Sequence, residues 1–105
     1  MDRKESLARR LREFKRKTSR HFKIEKMIFF GSRALGKPHR DSDVDLIIVS
    51  SSFRGLNFFQ RGAKMYNYWS LRMPVDFLCY TPEEFNRLKK QITVVNEALK
   101  KGIDI

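Results

Sequence analysis

Long hydrophobic runs are missing from this chain. The longest apolar stretches are Met27 to Phe30 and Val44 to Val49, the second broken by Asp45. Neither approaches the ~20 residues that a membrane span needs. The N-terminus is charged and lacks the apolar stretch of a secretory leader. Cysteine is nearly absent. Cys79 stands alone, so it forms no internal disulfide and no cysteine-rich metal cluster. With 5 glycines and 3 prolines, the chain shows no low-complexity linker, internal repeat or domain boundary. Acidic side chains are scarce, 12 against 23 Lys plus Arg. These absences predict a soluble cytoplasmic protein with no membrane association.

What is present is a basic chain with enough apolar content to fold. The 105 residues, 41% hydrophobic, predict a single domain over 1–105. Its core is small, so a partner or a homo-oligomer would add stability. The net charge is +11, unevenly spread. Residues 1–26 carry 11 basic and 4 acidic side chains, a net of +7, and residues 27–105 a net of +4. Such a surface attracts polyanions: nucleic acid, nucleotides or an acidic partner.

Periodicity predicts alternating helices and strands. Leu7, Leu11 and Phe14 share one face of a basic N-terminal helix over 3–20, within a basic segment 1–21. Residues 24–30 read as a strand ending at Gly31, with Ser32 capping a short helix from Arg33. Residues 36–42 read as a loop. Residues 43–49, rich in Ile and Val, read as a buried strand. Residues 55–70 read as helix or loop-helix, and residues 74–80 as another strand. Thr81-Pro82-Glu83-Glu84 is a helix start with cap, proline and first-turn acids, and that helix runs to about residue 90. A last helix covers 94–101, with Gly102 ending it. This order implies an α/β (α+β) fold with a small sheet of three to four strands flanked by helices.

Asp43-Val44-Asp45 opens the second strand. Side chains alternate along a strand, so both carboxylates project to one side and Val44 and Leu46 to the other. Two close carboxylates repel, and burying them is costly without a counter-charge. Mg²⁺ is the natural one, because it takes hard oxygen ligands and keeps waters and substrate phosphates. Asp76 lies between Val75 and Phe77 in the next strand, where an acid needs a reason. If the strands are neighbours, the three acids can hold two metal ions for phosphoryl-type transfer, with Asp76 on the acceptor side assisting its deprotonation. The Gly31-Ser32 turn supplies phosphate donors: Gly permits close backbone approach, Ser32 adds a hydroxyl and Arg33 a charge. Each piece alone is weak, and a Gly-Ser turn is usually just a turn. The Asp41, Asp43, Asp45 spacing could suggest a calcium loop. Leu46 stands where that loop needs Gly, and a buried strand follows.

Gly31-Ser32, ten residues and Asp43-Val44-Asp45 together resemble the signature of the DNA polymerase β-like nucleotidyltransferase superfamily. From Ile24 to Ile105 the chain is similar to minimal nucleotidyltransferases. The supporting segments are GSRALG, SDVDL, VDFLCYTPEEF and EALKKGIDI. The resemblance implies a mixed sheet flanked by helices, ATP or another nucleoside triphosphate, two Mg²⁺ ions, and transfer of a nucleotidyl group to an acceptor hydroxyl. It implies that Gly31, Ser32 and Arg33 hold the nucleotide while Asp43, Asp45 and Asp76 hold metal and carry catalysis. Many such proteins resemble the antitoxin of a toxin–antitoxin pair, moving AMP to a tyrosine of a helical HEPN toxin. Leu35 stands where the family often has Arg, and Arg33, Lys37 and Arg40 are the nearby cations.

Other features have plainer readings. The N-terminal helix either packs on the sheet with its charges solvated or docks nucleic acid or an acidic partner. Phe53, Phe58, Phe59, Tyr66, Tyr68 and Trp69 are expected to be mostly core. Arg54 and Arg61 could reach a triphosphate, though surface or structural duty is the ordinary expectation. His21 and His39 are isolated and unlike metal ligands. Cys79 is a small core residue, and Thr81 and Glu84 form a capping box. Two rival functions remain. One is transfer to a small-molecule acceptor, for which the chain has no second domain to build a pocket. The other is a non-catalytic RNA- or protein-binding module, which would leave three destabilising acids without purpose.

Overall fold

Alternation of buried and open side chains sets the two faces of the sheet. The computed structural model describes residues 3–36, 43–91 and 93–105. The elements are α1 (Arg3–Thr18), β1 (Ile24–Phe30), β2 (Val44–Ser50), a single 3₁₀ turn (Ser51–Phe53), α2 (Phe58–Tyr66), β3 (Val75–Tyr80), α3 (Pro82–Leu88), α4 (Val94–Lys101) and β4 (Ile103–Asp104). The sheet order is β3-β2-β1-β4. The β2–β3 pair is parallel, and β1 runs antiparallel to both β2 and β4. This is a mixed, four-stranded sheet. The reading of 36–42 as a loop, with Lys37, His39, Arg40 and Asp41, lies outside the described residues apart from Gly36.

One face buries Met27 and Phe29 of β1, Leu46 and Ile48 of β2, and Phe77 and Cys79 of β3, covered by Leu7, Leu11 and Phe14 of α1 and Met65 of α2. The other buries Ile28, Ile47 and Val49 against Phe85 of α3 and Val95 and Ala98 of α4. α1 therefore packs as its apolar stripe predicts. Cys79 is the buried core residue expected, and burial pushes its thiol up to about 12.

Two local readings are corrected. Residues 32–36 make turns, not a helix: Leu35 N–H donates to the Gly31 carbonyl at 3.2 Å and Gly36 N–H to Arg33 at 3.3 Å. Gly36, at φ +74°, leaves the helical region after that one turn. The aromatics are not mostly core. Phe53 is buried and Tyr68 and Trp69 are partly so, but Phe58, Phe59 and Tyr66 are exposed on α2. A nine-residue helix hung on a small sheet has room to bury only one stripe, here Arg61 and Met65. Gly102 ends α4 at Lys101 as the sequence indicates, in extended backbone at φ −82°. There a Cβ would meet the Ala98 carbonyl oxygen, Ile28 Cγ2 at 2.6 Å and the Phe29 carbonyl oxygen at 3.0 Å, so lack of a side chain lets α4 close onto β1.

β3 lies at the sheet edge, and α2 takes two of its carbonyls. Tyr66 Oη donates to Val75 O at 2.7 Å, and Arg61 Nη1 donates to Cys79 O at 3.1 Å. Strand alternation puts Val75 and Cys79 on the same, unpaired side, so these side chains blunt the edge. Arg61 also pairs with Glu84 at 2.7 Å, and Glu84 closes the capping box with Thr81. Partial burial pushes the Glu84 carboxyl up, but the Arg61 guanidinium and the Thr81 backbone N–H outweigh it and the net shift is downward. A carboxyl lowered in the fold stabilises above its ordinary value of 4.5 and loses that contribution as pH falls through the lowered value. Glu84→Gln is thus expected to flatten the loss of Tm between about pH 5 and 3. Arg61→Leu, which strands the acid, should cost about 2 kcal/mol at neutral pH. A Glu84→Gln chain with an unaltered acid limb would show that the pair contributes nothing.

Candidate active site

The site forms where β1 ends and β2 and β3 begin. β1 and β2 are antiparallel and β2 and β3 parallel, so the C-terminal end of one strand meets the N-terminal ends of the other two. In the ladders, Asp45 stands beside Phe30 on one side and Asp76 on the other. Parity places Asp45 and Asp76 on the same face, with Val44, Leu46, Val75 and Phe77 turned into the opposite core. The condition set by the sequence, that the two acid-bearing strands be neighbours, is met. Asp45 is half-buried and Asp76 exposed on the edge strand.

Asp43 lies just before β2 and is half-buried. Its charge reaches the site all the same. The Asp45 carboxyl is pushed above its ordinary value by burial first, then by Asp76 and by Asp43. The local field is therefore negative, with Asp45 at its centre. Among the described residues, no three His, Cys, Asp or Glu side chains already close into a ligand group. The acids form an open set, which suits a hard cation that completes its shell with water and phosphate oxygens.

Gly31 brings the chain against this set. It sits at φ +85°, a region that side chains disfavour. A Cβ there would lie 3.1 Å from Asp45 Cγ and closer still to Oδ2. The backbone of the turn and the carboxylate are in direct apposition. Ser32 and Arg33 follow, both half-buried within the same turn. Leu35 is exposed.

Other candidates belong elsewhere. Arg54 pairs with Glu83, and Arg61 is taken by Glu84, Leu56 O and Cys79 O. Cys79 and Tyr80 mark the far end of β3 from Asp76, so neither arginine serves the acids. His21 stacks on Tyr68, ring centroids 5.2 Å apart. Sequence reasoning missed a groove of about 370 Å³ between α1 and residues 70–72, whose lining includes Arg10, Lys17 and Arg72. Its parts are separated by more than fifty positions, and no local pattern joins them.

A family model, the nucleotidyltransferase domain, matches residues 11–104. The chain belongs to this family. Among solved structures, it is similar to a protein of Sulfolobus solfataricus assigned as a nucleotidyltransferase, with a TM-score of 0.66 and 22% identity over 96% of this chain and 80% of that one. That likeness carries the fold: a mixed sheet with flanking helices, as the sequence implies. No protein of curated function matches the chain at a significant level. Membership makes nucleotidyl transfer the activity of the domain and places the chain among transferases. No helix among the described residues is long and apolar enough to cross a membrane.

Proposed function

We propose that this nucleotidyltransferase moves AMP from ATP to a protein hydroxyl, a tyrosine of a HEPN-type toxin partner, and so acts as an antitoxin. The observation that carries the catalytic part is the register of Asp45 with Asp76 beside the Gly31 turn. Asp43 and Asp45 would hold Mg²⁺ with the triphosphate, and Asp76 would complete the set. The metal, when bound, supplies the positive charge that neutralises phosphate oxygens and lowers the pKa of the acceptor hydroxyl. Gly31 N–H and the Ser32 hydroxyl orient the phosphates, and Arg33 adds charge to that hold. Asp76, exposed on the edge strand, faces an incoming acceptor and takes its proton. The acceptor oxygen bonds to the α-phosphorus and pyrophosphate leaves. The ten-residue spacer between Gly31-Ser32 and Asp43-Val44-Asp45, which resembles that of the antitoxin subfamily, supports the protein acceptor and the partner.

The test is incubation with α-labelled ATP, Mg²⁺ and the protein encoded beside this one, against a chain carrying Asp43→Asn and Asp45→Asn. Label on that protein with the wild type alone is the expected result. Mg²⁺-dependent ATP binding without label would move the acceptor to a small molecule. No nucleotide binding at all would sink the enzyme reading and leave a binding module.

A further inference from the structure

The catalytic reading leaves the charge of α1 unused. Arg9, Arg10, Arg12, Arg16 and Lys17 are all exposed, and the fold does not consume them. Among the described residues, none of these side chains enters an ion pair, and only Lys17 makes a hydrogen bond, to Tyr68 O at 3.3 Å. Among the described residues, α1 buries Leu7, Ala8, Leu11, Phe14 and Thr18. At 100° per residue, Arg9, Arg12 and Arg16 form a ridge on the opposite side. Arg10 and Lys17 flank that ridge and open onto the groove of about 370 Å³, where Arg72 faces them and Glu13 is the one acid.

We infer that α1 and this groove bind the phosphate backbone of a polynucleotide. Two observations favour that occupant over an acidic protein. Among the described residues, the exposed large apolar ones are Leu35, Phe58, Phe59, Tyr66, Val94 and Leu99, and none of these lies on α1. A protein interface needs an exposed apolar or aromatic anchor at its centre, and the apolar side chains lining this groove, Phe14 and Leu71, are buried and half-buried. The ridge is arginine throughout, whose planar fork fits phosphate oxygens in pairs. Arg9 to Arg16 spans about 10 Å of helix, the rise of about three phosphates along one strand. With no aromatic ring on the ridge, the surface reads backbone and not base, so binding is independent of sequence. The surface is also separate from the triphosphate site: α1 covers one face of the sheet, and Asp45 and Asp76 project from the other.

The probe is a labelled single-stranded RNA of about 20 nucleotides and mixed sequence, followed by fluorescence anisotropy from about 50 to 200 mM salt. With about five phosphates neutralised, the slope of log affinity against log salt should lie near −3.5. The triple variant Arg9→Gln, Arg12→Gln, Arg16→Gln keeps good helix formers. It should cut that slope by about two and weaken binding at least about tenfold at physiological salt. Arg→Lys at the same three positions should keep the slope, and circular dichroism should be unchanged in both. An unchanged slope in the Gln variant would overturn the inference. So would polyglutamate displacing the RNA equally well, charge for charge, which would assign the face to an acidic protein.

Discussion

Asp45→Asn is expected to abolish nucleotidyl transfer while raising the thermal stability of the chain measured without metal. The two effects share one cause. Asp45 sits half-buried between Phe30 and Asp76, and burial, Asp76 and Asp43 together push its carboxyl above the ordinary 3.8. A raised carboxyl gives stability that is complete below 3.8 and is lost as pH rises through the raised value, so at neutral pH the ionised group opposes folding. Asparagine keeps the shape and removes the charge. It also removes the ligand with which the site would gather metal and phosphate. Losing the central charge of a phosphoryl-transfer site should lower the rate by about 10³-fold or more, roughly 4 kcal/mol of barrier. Asp76→Asn should be separable from it. Asp76 is exposed on the outer strand, so its loss should lower kcat with little change in ATP affinity, whereas Asp45→Asn should lose both. Transfer assays with α-labelled ATP, paired with equilibrium binding, distinguish the two. An Asp45→Asn chain that still transfers would remove the acids from catalysis.

Elements whose determinants are local in sequence are the ones the sequence makes legible. β1 falls at Ile24–Phe30, as its apolar run and Gly31 indicate, because one run and one breaker suffice to bound a strand. α3 begins at Pro82 behind a Thr81 cap, because that chemistry is local and complete within four residues. The acids Asp45 and Asp76 were legible as misfits: charged groups in strands otherwise made of Val, Ile, Leu and Phe. Their adjacency was not legible, since it depends on β2 and β3 pairing in register across an intervening helix. β4 escaped because Ile103 and Asp104 give only two residues of pattern, and they are strand only through Phe29 and Ile28. α2 carries a local start signal in Asn57 and Gln60, whose reciprocal side-chain bonds form its capping box. Exposure of Phe58 and Phe59 is set by how far the sheet extends beneath α2, a tertiary quantity that no sequence window carries.

Gly31→Ala carries the second large effect, because two independent constraints meet at that residue. At φ +85° an alanine pays the left-handed backbone cost, about 1–2 kcal/mol. Its Cβ would also press on the Asp45 carboxylate, 3.1 Å from Cγ and nearer to Oδ2. Either the turn or the carboxylate must then move. The expected result is a loss of about 2 kcal/mol, on the order of 10 °C in Tm for a chain of this size. Transfer should fall by at least about 10²-fold, since a displacement of about an ångström at a positioned group is enough. The two constraints separate in a double-mutant cycle with Asp45→Gly, which removes the side chain that Cβ would strike. If apposition matters, Gly31→Ala should cost less stability in the Asp45→Gly background, with a coupling of about 1 kcal/mol. The remainder is then the backbone alone. Equal costs in both backgrounds would mean that the turn yields without touching Asp45, and that the glycine is there for its dihedral angle and not to admit the carboxylate.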